Sequence, residues 1–344
     1  MKDTGTSLNR RVFAAISAGA IGSAALSHAA PAPADIKIGL YSITYLGVWY
    51  RGDALSLEQV IERAKRFGYQ GVEIDGKRPH GNPLDMPRTR CRQLRQLAAD
   101  RGIEIYAVAG NNDFSSPIPE HREAQLLYNR ELIRMTADLG AKTMRVFLAW
   151  PGVTALPGGG GRYDLAQAAW KQEHQSFSAE QTWAWCRESL VEMSRYAGDQ
   201  GVTLALQNHP PVITGYQDGL RMVQEVASPH LKVCFDARLE HSLDSAGVRR
   251  ALNEVGSLQV LSHFGGEFQP APNGATGTED RQNLAEIQGL LDIGYRGYFG
   301  FELCHPLPVV NGKTVGIEFA DKNAELAAVS MRAIIAQARS QHPA

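Results

Sequence analysis

The 344-residue chain is poor in cysteine, has no excess of basic residues and lacks a long apolar run beyond its N-terminal segment. Its four cysteines are widely spaced without a Cys-x-x-Cys pair, so we expect no disulfide framework and predict mostly buried thiols. The 35 basic and 36 acidic residues give a net charge of −1, so the composition does not predict the basic surface and high pI that nucleic-acid binding requires. No later segment approaches the roughly 20 apolar residues of a membrane span, so the mature chain is expected to be soluble, with no membrane partner.

The first 34 residues have the pattern of an export signal. Arg10 and Arg11 precede a mildly apolar run over 14–26, and small residues in APAPAD follow, as in a cleavage site of the A-x-A type. The paired arginines resemble a twin-arginine signal, whereas a retained, disordered N-terminus is the alternative. We predict 1–34 as a signal peptide and a periplasmic or exported protein. Removing this segment takes away a net charge of +2 and leaves −3.

From residue 35 onward, short apolar segments alternate with longer amphipathic ones. The predicted strands are 36–43, 71–74, 103–110, 142–150, 203–207, 231–236, 258–264 and 298–303. The predicted helices are 55–68, 88–101, 120–139, 178–201, 217–226, 243–254, 281–293 and 317–339. Nearly continuous apolar strands, each followed by a helix, are typical of parallel strands that are covered on both faces. Eight such units predict a single α/β domain over 35–344, a (β/α)8 TIM barrel.

Three long loops follow predicted strands four, seven and eight, at 151–167, 265–280 and 304–314. They lie at the carboxyl ends of the strands, which is the face that carries the active site in barrel enzymes. The glycine run at 158–161 lacks the Lys-Ser/Thr of a phosphate-binding loop. We therefore predict a flexible lid or surface loop there.

Polar residues end several of the apolar strands: Glu73 on strand two, Gln207 on strand five, Asp236 on strand six, His263 on strand seven and Glu302 on strand eight. A charged group at the end of a buried strand is costly unless it is paired or binds a metal. The last four are predicted to converge on a divalent cation. One imidazole, two carboxylates and an amide oxygen suit Mn²⁺ or Mg²⁺, with Zn²⁺ less favoured.

Ordinary structural roles remain open for each of these residues. His263 can be a hydrogen-bonded core histidine, and Asp236 can cap the segment that follows it. Glu302 can pair with an arginine such as Arg238 or Arg145.

These strand ends resemble the xylose-isomerase-like TIM barrels, the sugar phosphate isomerase/epimerase group. LALQNHP, VCFDARLEH, VLSHFGG and FGFELCHP stand where that family has a strand-five Glu, a strand-six Asp, a strand-seven His and a strand-eight Glu. The resemblance covers most of 36–340 and implies Asp236, His263 and Glu302 as metal ligands. Glu73, in the GVE of strand two, is a further mark of the family.

The chain departs from the family pattern at two positions. Gln207 stands where the family has a Glu that binds metal and, in the epimerases, also acts as an acid or base. Leu239 replaces a histidine expected three residues after Asp236, although His241 lies close by. Because glutamine cannot take a proton at pH 7, an epimerisation with bases at 207 and 302 is disfavoured.

The favoured hypothesis is a metal-dependent isomerase or epimerase that acts on a sugar or keto-sugar. A cation would polarise the carbonyl, Glu302 would move the neighbouring proton, and His209, His241 or His305 would act as the acid. A lyase or dehydratase acting on an oxidised glycoside is the alternative, since elimination needs only one base. A sugar-binding barrel without catalysis is the third reading, and an apurinic-type phosphodiesterase is disfavoured by the acidic charge.

The predicted partner is a small carbohydrate. Trp49 and Trp150 lie near strand ends one and four, where they can stack on a sugar ring or simply pack in the core. Glu73 and His305 complete the predicted substrate-binding set. A homo-oligomer is compatible with the sequence, which does not fix the oligomeric state.

Overall fold

Eight parallel strands form the frame of the domain in a computed structural model that describes residues 34–157, 160–269 and 281–342. The strands are β1 (Asp35–Tyr41), β2 (Gly71–Asp75), β3 (Glu104–Ala109), β4 (Thr143–Val146), β5 (Thr203–Gln207), β6 (Leu231–Cys234), β7 (Ser262–Gly265) and β8 (Arg296–Glu302). Their order is β6-β5-β4-β3-β2-β1-β8-β7. The two ends of this order meet at a parallel bridge between Val233 and Gln259. The predicted α/β TIM barrel is confirmed.

Nine helices in the described residues surround the strands. They are α1 (Leu57–Phe67), α2 (Arg88–Asp100), α3 (Pro119–Asp138), α4 (Asp164–His174), α5 (Ala179–Asp199), α6 (Tyr216–Val226), α7 (Ser245–Val255), α8 (Arg281–Asp292) and α9 (Ile317–Gln341). α1 begins with a capping box in which Ser56 and Gln59 bond each other's backbone N–H, and it ends at Gly68 with φ of 80°. A capping box between Ser178 and Gln181 likewise begins α5.

Two segments of the structure differ from the predicted elements. α4 lies partly inside the segment predicted as loop 151–167, after a short antiparallel pair, Thr154–Ala155 with Gly161–Arg162. β4 ends at Val146 because the Phe147 N–H donates to the Asn112 side chain at 2.9 Å instead of continuing the ladder. Glycines 158 and 159, the loop 270–280 and the predicted signal segment up to residue 33 lie outside the described residues.

Tyrosine rings fill the barrel below the candidate site. The Tyr106 ring lies 4.0 Å from the Tyr298 ring and stacks on it. Gly39 and Gly300 make room for it, since a Cβ at either would lie within 2.6 Å of Tyr106 side-chain atoms. The interior therefore is packed towards the amino ends of the strands, and polar groups meet at the carboxyl ends. No helix of the described residues is long and apolar enough to cross a membrane.

Candidate active site at the carboxyl ends of the strands

A buried arginine on β4 joins two strand ends of the candidate site. Arg145 is only 3% exposed; its Nε donates to Glu73 at 2.9 Å and a terminal nitrogen donates to Gln207 Oε1 at 2.7 Å. Its guanidinium lies 4.7 Å from the Tyr41 ring centre and 5.3 Å from that of Phe147, within range of cation–π attraction. Burial would lower the pKa of Arg145, but Glu73 together with other neighbouring groups, Tyr41 and Glu302 among them, outweighs it, and the pKa lies well above its usual range. Arg145 is therefore a permanent cation.

Glu73 is a structural support beneath the site. It is fully buried, and its second oxygen lies 2.6 Å from His263 Nε2. Burial would raise the pKa of Glu73, but the positive charge of Arg145 and the contact with His263 lower it below its usual value. Both carboxylate oxygens are thus engaged by protein, so Glu73 does not have the open position predicted for a substrate-binding residue.

The Gln207 amide connects the arginine to Asp236. Its Oε1 accepts from Arg145, and its Nε2 donates to Asp236 Oδ2 at 3.1 Å. The next residue, Asn208, fastens the two strand ends together: its Nδ2 donates to the Asp236 carbonyl at 3.0 Å, and its Oδ1 accepts from the Asp236 N–H at 2.8 Å. The Gln-Asn pair therefore fixes where the Asp236 carboxylate stands.

Asp236 and Glu302 are the two carboxylates of the site that remain closest to its open end. Glu302 is the last residue of β8 and is 8% exposed. Burial and then the negative charge of Glu302 raise the pKa of Asp236 above its usual value. The Cys304 thiol lies against Glu302, and burial raises the pKa of Cys304, so that it stays a neutral donor. Two neighbouring carboxylates near the open end of a buried site can serve acid–base chemistry.

Arg238 adds a second guanidinium beside these carboxylates. It lies so close to Gly265 that a Cβ there would come within 2.0 Å of its terminal nitrogen. Its charge acts to lower the pKa of Asp236. Glycine at the end of β7 is therefore required for the position of this side chain.

An aromatic wall continues from the strand ends towards the loops. The Trp150 ring centre lies 4.9 Å from that of His209 and 5.8 Å from that of Tyr163, both edge-on. The Tyr163 hydroxyl donates to the Cys304 carbonyl, which places the wall next to β8. Trp49 packs on Tyr163 with ring centres 5.0 Å apart but is only 1% exposed, so it supports the wall from behind.

A further polar cluster at the end of β2 was not predicted. The Tyr41 hydroxyl donates to Asp75 Oδ2 at 2.5 Å, and Asn111 Nδ2 donates to its other oxygen at 3.0 Å. Lys77 Nζ lies 3.5 Å from the same carboxylate and 5.9 Å from the Trp150 ring centre. These contacts bring a second cation to the wall. Like the predicted ligands, Asp75 and Arg145 are charged residues in buried strands, and this feature of the sequence could have identified them.

The histidines predicted as acids lie at different depths. His209 is half-buried in the aromatic wall; its Nδ1 lies 2.6 Å from the Pro210 carbonyl, and burial lowers its pKa below the usual value. His305 lies at the rim, where its Nε2 contacts Glu267 at 3.1 Å. His241 is exposed after the short turn Ala237–Leu239.

The side chains predicted to hold a divalent cation are already engaged in other contacts. The structure does bring Gln207, Asp236, His263 and Glu302 to one end of the barrel, but Gln207 and His263 bond protein partners. Among the described residues, no three His, Cys, Asp or Glu side chains are grouped to hold a metal ion. The permanent charge of Arg145 would also repel such an ion. As arranged, these residues do not fit Mn²⁺, Mg²⁺ or Zn²⁺, and the metal stays a prediction from the resemblance.

Comparisons with known proteins agree with this fold. The chain is 24% identical over 257 residues to fructoselysine 3-epimerase of Shigella flexneri, over 72% of this chain and 86% of that protein. It is 26% identical over 178 residues to xylose isomerase of Thermus thermophilus, over 47% of this chain and only 41% of that relative. The crystal structure of D-psicose 3-epimerase from Clostridium cellulolyticum superposes with a TM-score of 0.65 at 20% identity, over 87% of this chain and 99% of that one.

The family is shown by a match along most of the barrel. The family model described as xylose isomerase-like TIM barrel matches residues 61–315. That range begins in α1 and extends beyond β8, and so includes the strand ends that carry Glu73, Arg145, Gln207, Asp236 and Glu302. This chain belongs to the xylose isomerase-like TIM barrel family.

Proposed function

We propose that this protein is a keto-sugar isomerase or epimerase that moves a proton at the carbon next to a carbonyl group. The observation that carries the proposal is the carboxylate pair: Glu302 near the open end of the barrel, beside an Asp236 whose pKa its charge and burial raise. Two relatives, fructoselysine 3-epimerase and D-psicose 3-epimerase, bear names that imply chemistry on keto-sugars.

Glu302 is the base of the proposed reaction. It removes the proton from the carbon next to the carbonyl, and the electron pair moves to the carbonyl oxygen. Return of a proton to the former carbonyl carbon, while the hydroxyl proton on the first carbon passes to the former carbonyl oxygen, completes an isomerisation. Return of a proton to the same carbon from the opposite face, which restores the carbonyl, completes an epimerisation. Asp236 is suited to carry that proton, because burial and the charge of Glu302 raise the pKa of Asp236 above its usual value.

His209 has a different role from the acid predicted for it. Its lowered pKa keeps the imidazole neutral at pH 7. With Nδ1–H donating to the Pro210 carbonyl, Nε2 is left as an acceptor for a sugar hydroxyl. Trp150, edge-on to His209, offers its ring to the apolar face of the sugar, and Lys77 offers an ammonium group.

The test is uptake of solvent deuterium. The full chain is incubated in D₂O with a panel of ketohexoses and 3-keto-glucosides, and the loss of individual C–H signals is followed by NMR. The proposal predicts exchange at one carbon next to the carbonyl, and Glu302→Gln should slow it by about 10²- to 10⁴-fold. Glu104→Gln makes the same change at the opposite end of the barrel, where Glu104 bonds Tyr298, and should leave the rate unchanged.

Full exchange in Glu302→Gln would remove Glu302 as the base. Absence of exchange with every sugar, while sugars still bind, would leave a non-catalytic sugar-binding barrel.

Elimination is the second candidate, and Gln207 is the observation that favours it. The amide cannot act as the second base that the family's strand-five Glu provides, and a β-elimination needs only one. In that case Glu302 would take the proton, and a leaving group would depart from the next carbon as the double bond forms. An unsaturated ketone, seen by its ultraviolet absorbance, would then appear instead of a deuterated isomer.

A further inference from the structure

The polar ring of the site contains a resident positive charge that the family pattern does not predict. Arg145 bonds Glu73 and Gln207, and its charge is felt by Glu302. These bonds use two of the five N–H groups of the guanidinium. The cation thus stands among the same side chains that were predicted to surround a metal ion.

Gln207 is the residue that this cation requires. Its oxygen faces a donor, Arg145, and its nitrogen faces an acceptor, Asp236, at 2.7 and 3.1 Å. An amide satisfies both neighbours, because it has an acceptor at one end and a donor at the other. A glutamate at 207 would satisfy Arg145 but turn its second oxygen towards the Asp236 carboxylate, and two carboxylates in contact need a cation between them. The exchange of Glu for Gln and the presence of Arg145 therefore explain each other.

A divalent cation and Arg145 compete for this place. To coordinate a metal, Gln207 would have to turn its oxygen away from Arg145, and His263 would have to turn its Nε2 away from Glu73. That movement would leave a buried guanidinium with one partner fewer beside a doubly charged ion. Removing a partner from a buried charge is strongly unfavourable.

We infer that the Arg145 guanidinium supplies the positive charge of this site in place of a divalent metal, and that the protein works without a bound metal ion. During proton removal by Glu302 the electron pair moves to the substrate oxygen, and Arg145 stabilises the oxyanion as a fixed, preorganised donor. The statement about the oxyanion rests on the proposed function, whereas the statement about metal content does not.

The test is metal binding by the full chain, read independently of activity. After a chelator wash and gel filtration, manganese, zinc and magnesium are counted by elemental mass spectrometry, and the melting temperature is followed with added Mn²⁺ or EDTA. We expect the wild type to hold no stoichiometric metal and to melt at the same temperature in both additives. Gln207→Glu alone should likewise hold no stoichiometric metal, because Arg145 still occupies the place of the ion, but it should melt at a lower temperature because its second oxygen faces the Asp236 carboxylate.

The double variant Arg145→Met, Gln207→Glu tests the opposite case, in which the site should bind a metal ion. It removes the guanidinium and restores the carboxylate, so it should bind Mn²⁺ near one per chain and melt higher with Mn²⁺ in a way that EDTA reverses. If the double variant folds but neither binds Mn²⁺ nor melts higher with it, Arg145 is not the group that replaces the ion. If the double variant does not fold, the wild type and Gln207→Glu still decide the matter.

A stoichiometric metal in the wild type that disappears in Asp236→Ala overturns the inference. A metal-free wild type that also shows no deuterium exchange on any sugar sinks the proposed function and leaves the inference on metal intact.

Discussion

Replacing Arg145 with methionine should lower the free energy of unfolding more than the same substitution at a surface arginine does. Methionine keeps the apolar part of the side chain against Tyr41 and Phe147 but removes the guanidinium. Glu73, which is fully buried, would keep a single partner, His263, and the Gln207 oxygen would lose its donor. Removing one partner of a buried pair costs about 3–5 kcal/mol, a large part of the total stability of a domain.

The cost should depend on pH through Glu73. In the wild type its pKa is lowered, so its stabilising effect is present above the ordinary carboxyl pKa and is lost as pH falls through the lowered value. In Arg145→Met, burial dominates and raises the pKa of Glu73, so the folded state prefers the protonated carboxyl. Between about pH 7 and about pH 5 the contribution of Glu73 to the wild type stays complete, whereas the variant gains stability as its Glu73 takes up a proton. The difference in unfolding free energy between the two proteins should therefore narrow over this range.

Urea unfolding of both proteins at the two pH values measures this gap. Arg249→Met is the matched control: Arg249 pairs with Asp292 at 2.6 Å but is largely exposed, so its loss should cost no more than about 1 kcal/mol at either pH. The double variant Arg145→Met, Glu73→Gln should recover part of the lost stability because it leaves no charge to bury. An Arg145→Met protein within about 1 kcal/mol of the wild type at pH 7 would refute the reasoning.

Two further predictions concern the carboxylate pair. If Asp236 delivers a proton, kcat should fall as pH rises through its raised pKa, and Asp236→Asn should slow turnover by about 10²- to 10⁴-fold. The melting temperature should fall as well, because both carboxylate oxygens accept hydrogen bonds, from Gln207 Nε2 and the Arg238 N–H, and asparagine keeps only one acceptor. A pH profile that Asp236→Asn leaves unchanged would exclude Asp236 as the proton donor. Gly265→Ala should displace Arg238 and also press on the backbone of Glu302, since the new Cβ would lie 2.0 Å from the guanidinium and 2.5 Å from the Glu302 carbonyl oxygen, and the pH profile should shift. Arg238→Met removes the charge without that backbone clash, and an unchanged profile in Arg238→Met would count against Arg238.

The barrel itself was predictable from local patterns in the sequence. Buried strands and amphipathic helices differ in period and length, and capping residues such as Ser56 and Gly68 mark helix ends. Asp236, His263 and Glu302 could be identified as neighbours because parallel strands bring their carboxyl ends to one face. β4 was predicted too long because its end depends on Asn112, a side chain from the preceding loop.

Which side chains bond each other within the site could not be predicted from such local patterns. The bond between Arg145 and Gln207 joins residues 62 positions apart, and its existence depends on which side chains turn inward at the same height. His241 was predicted near the site from its distance along the sequence, but the turn after Asp236 directs it to solvent. The Lys77 ammonium was missed because it stands two residues beyond a strand that already ended in an acid.

The packed tyrosines beneath the site determine what part of a substrate can reach Glu302. Within the described residues, Tyr106 and Tyr298 stack tightly towards the amino ends of the strands, which leaves the aromatic wall on the open side of the site. If the proposed function holds, a site closed on one side accepts the end of a saccharide, whereas an internal unit of a long chain cannot thread through it. Substrate and product of the proposed reaction would then use the same opening and compete for it.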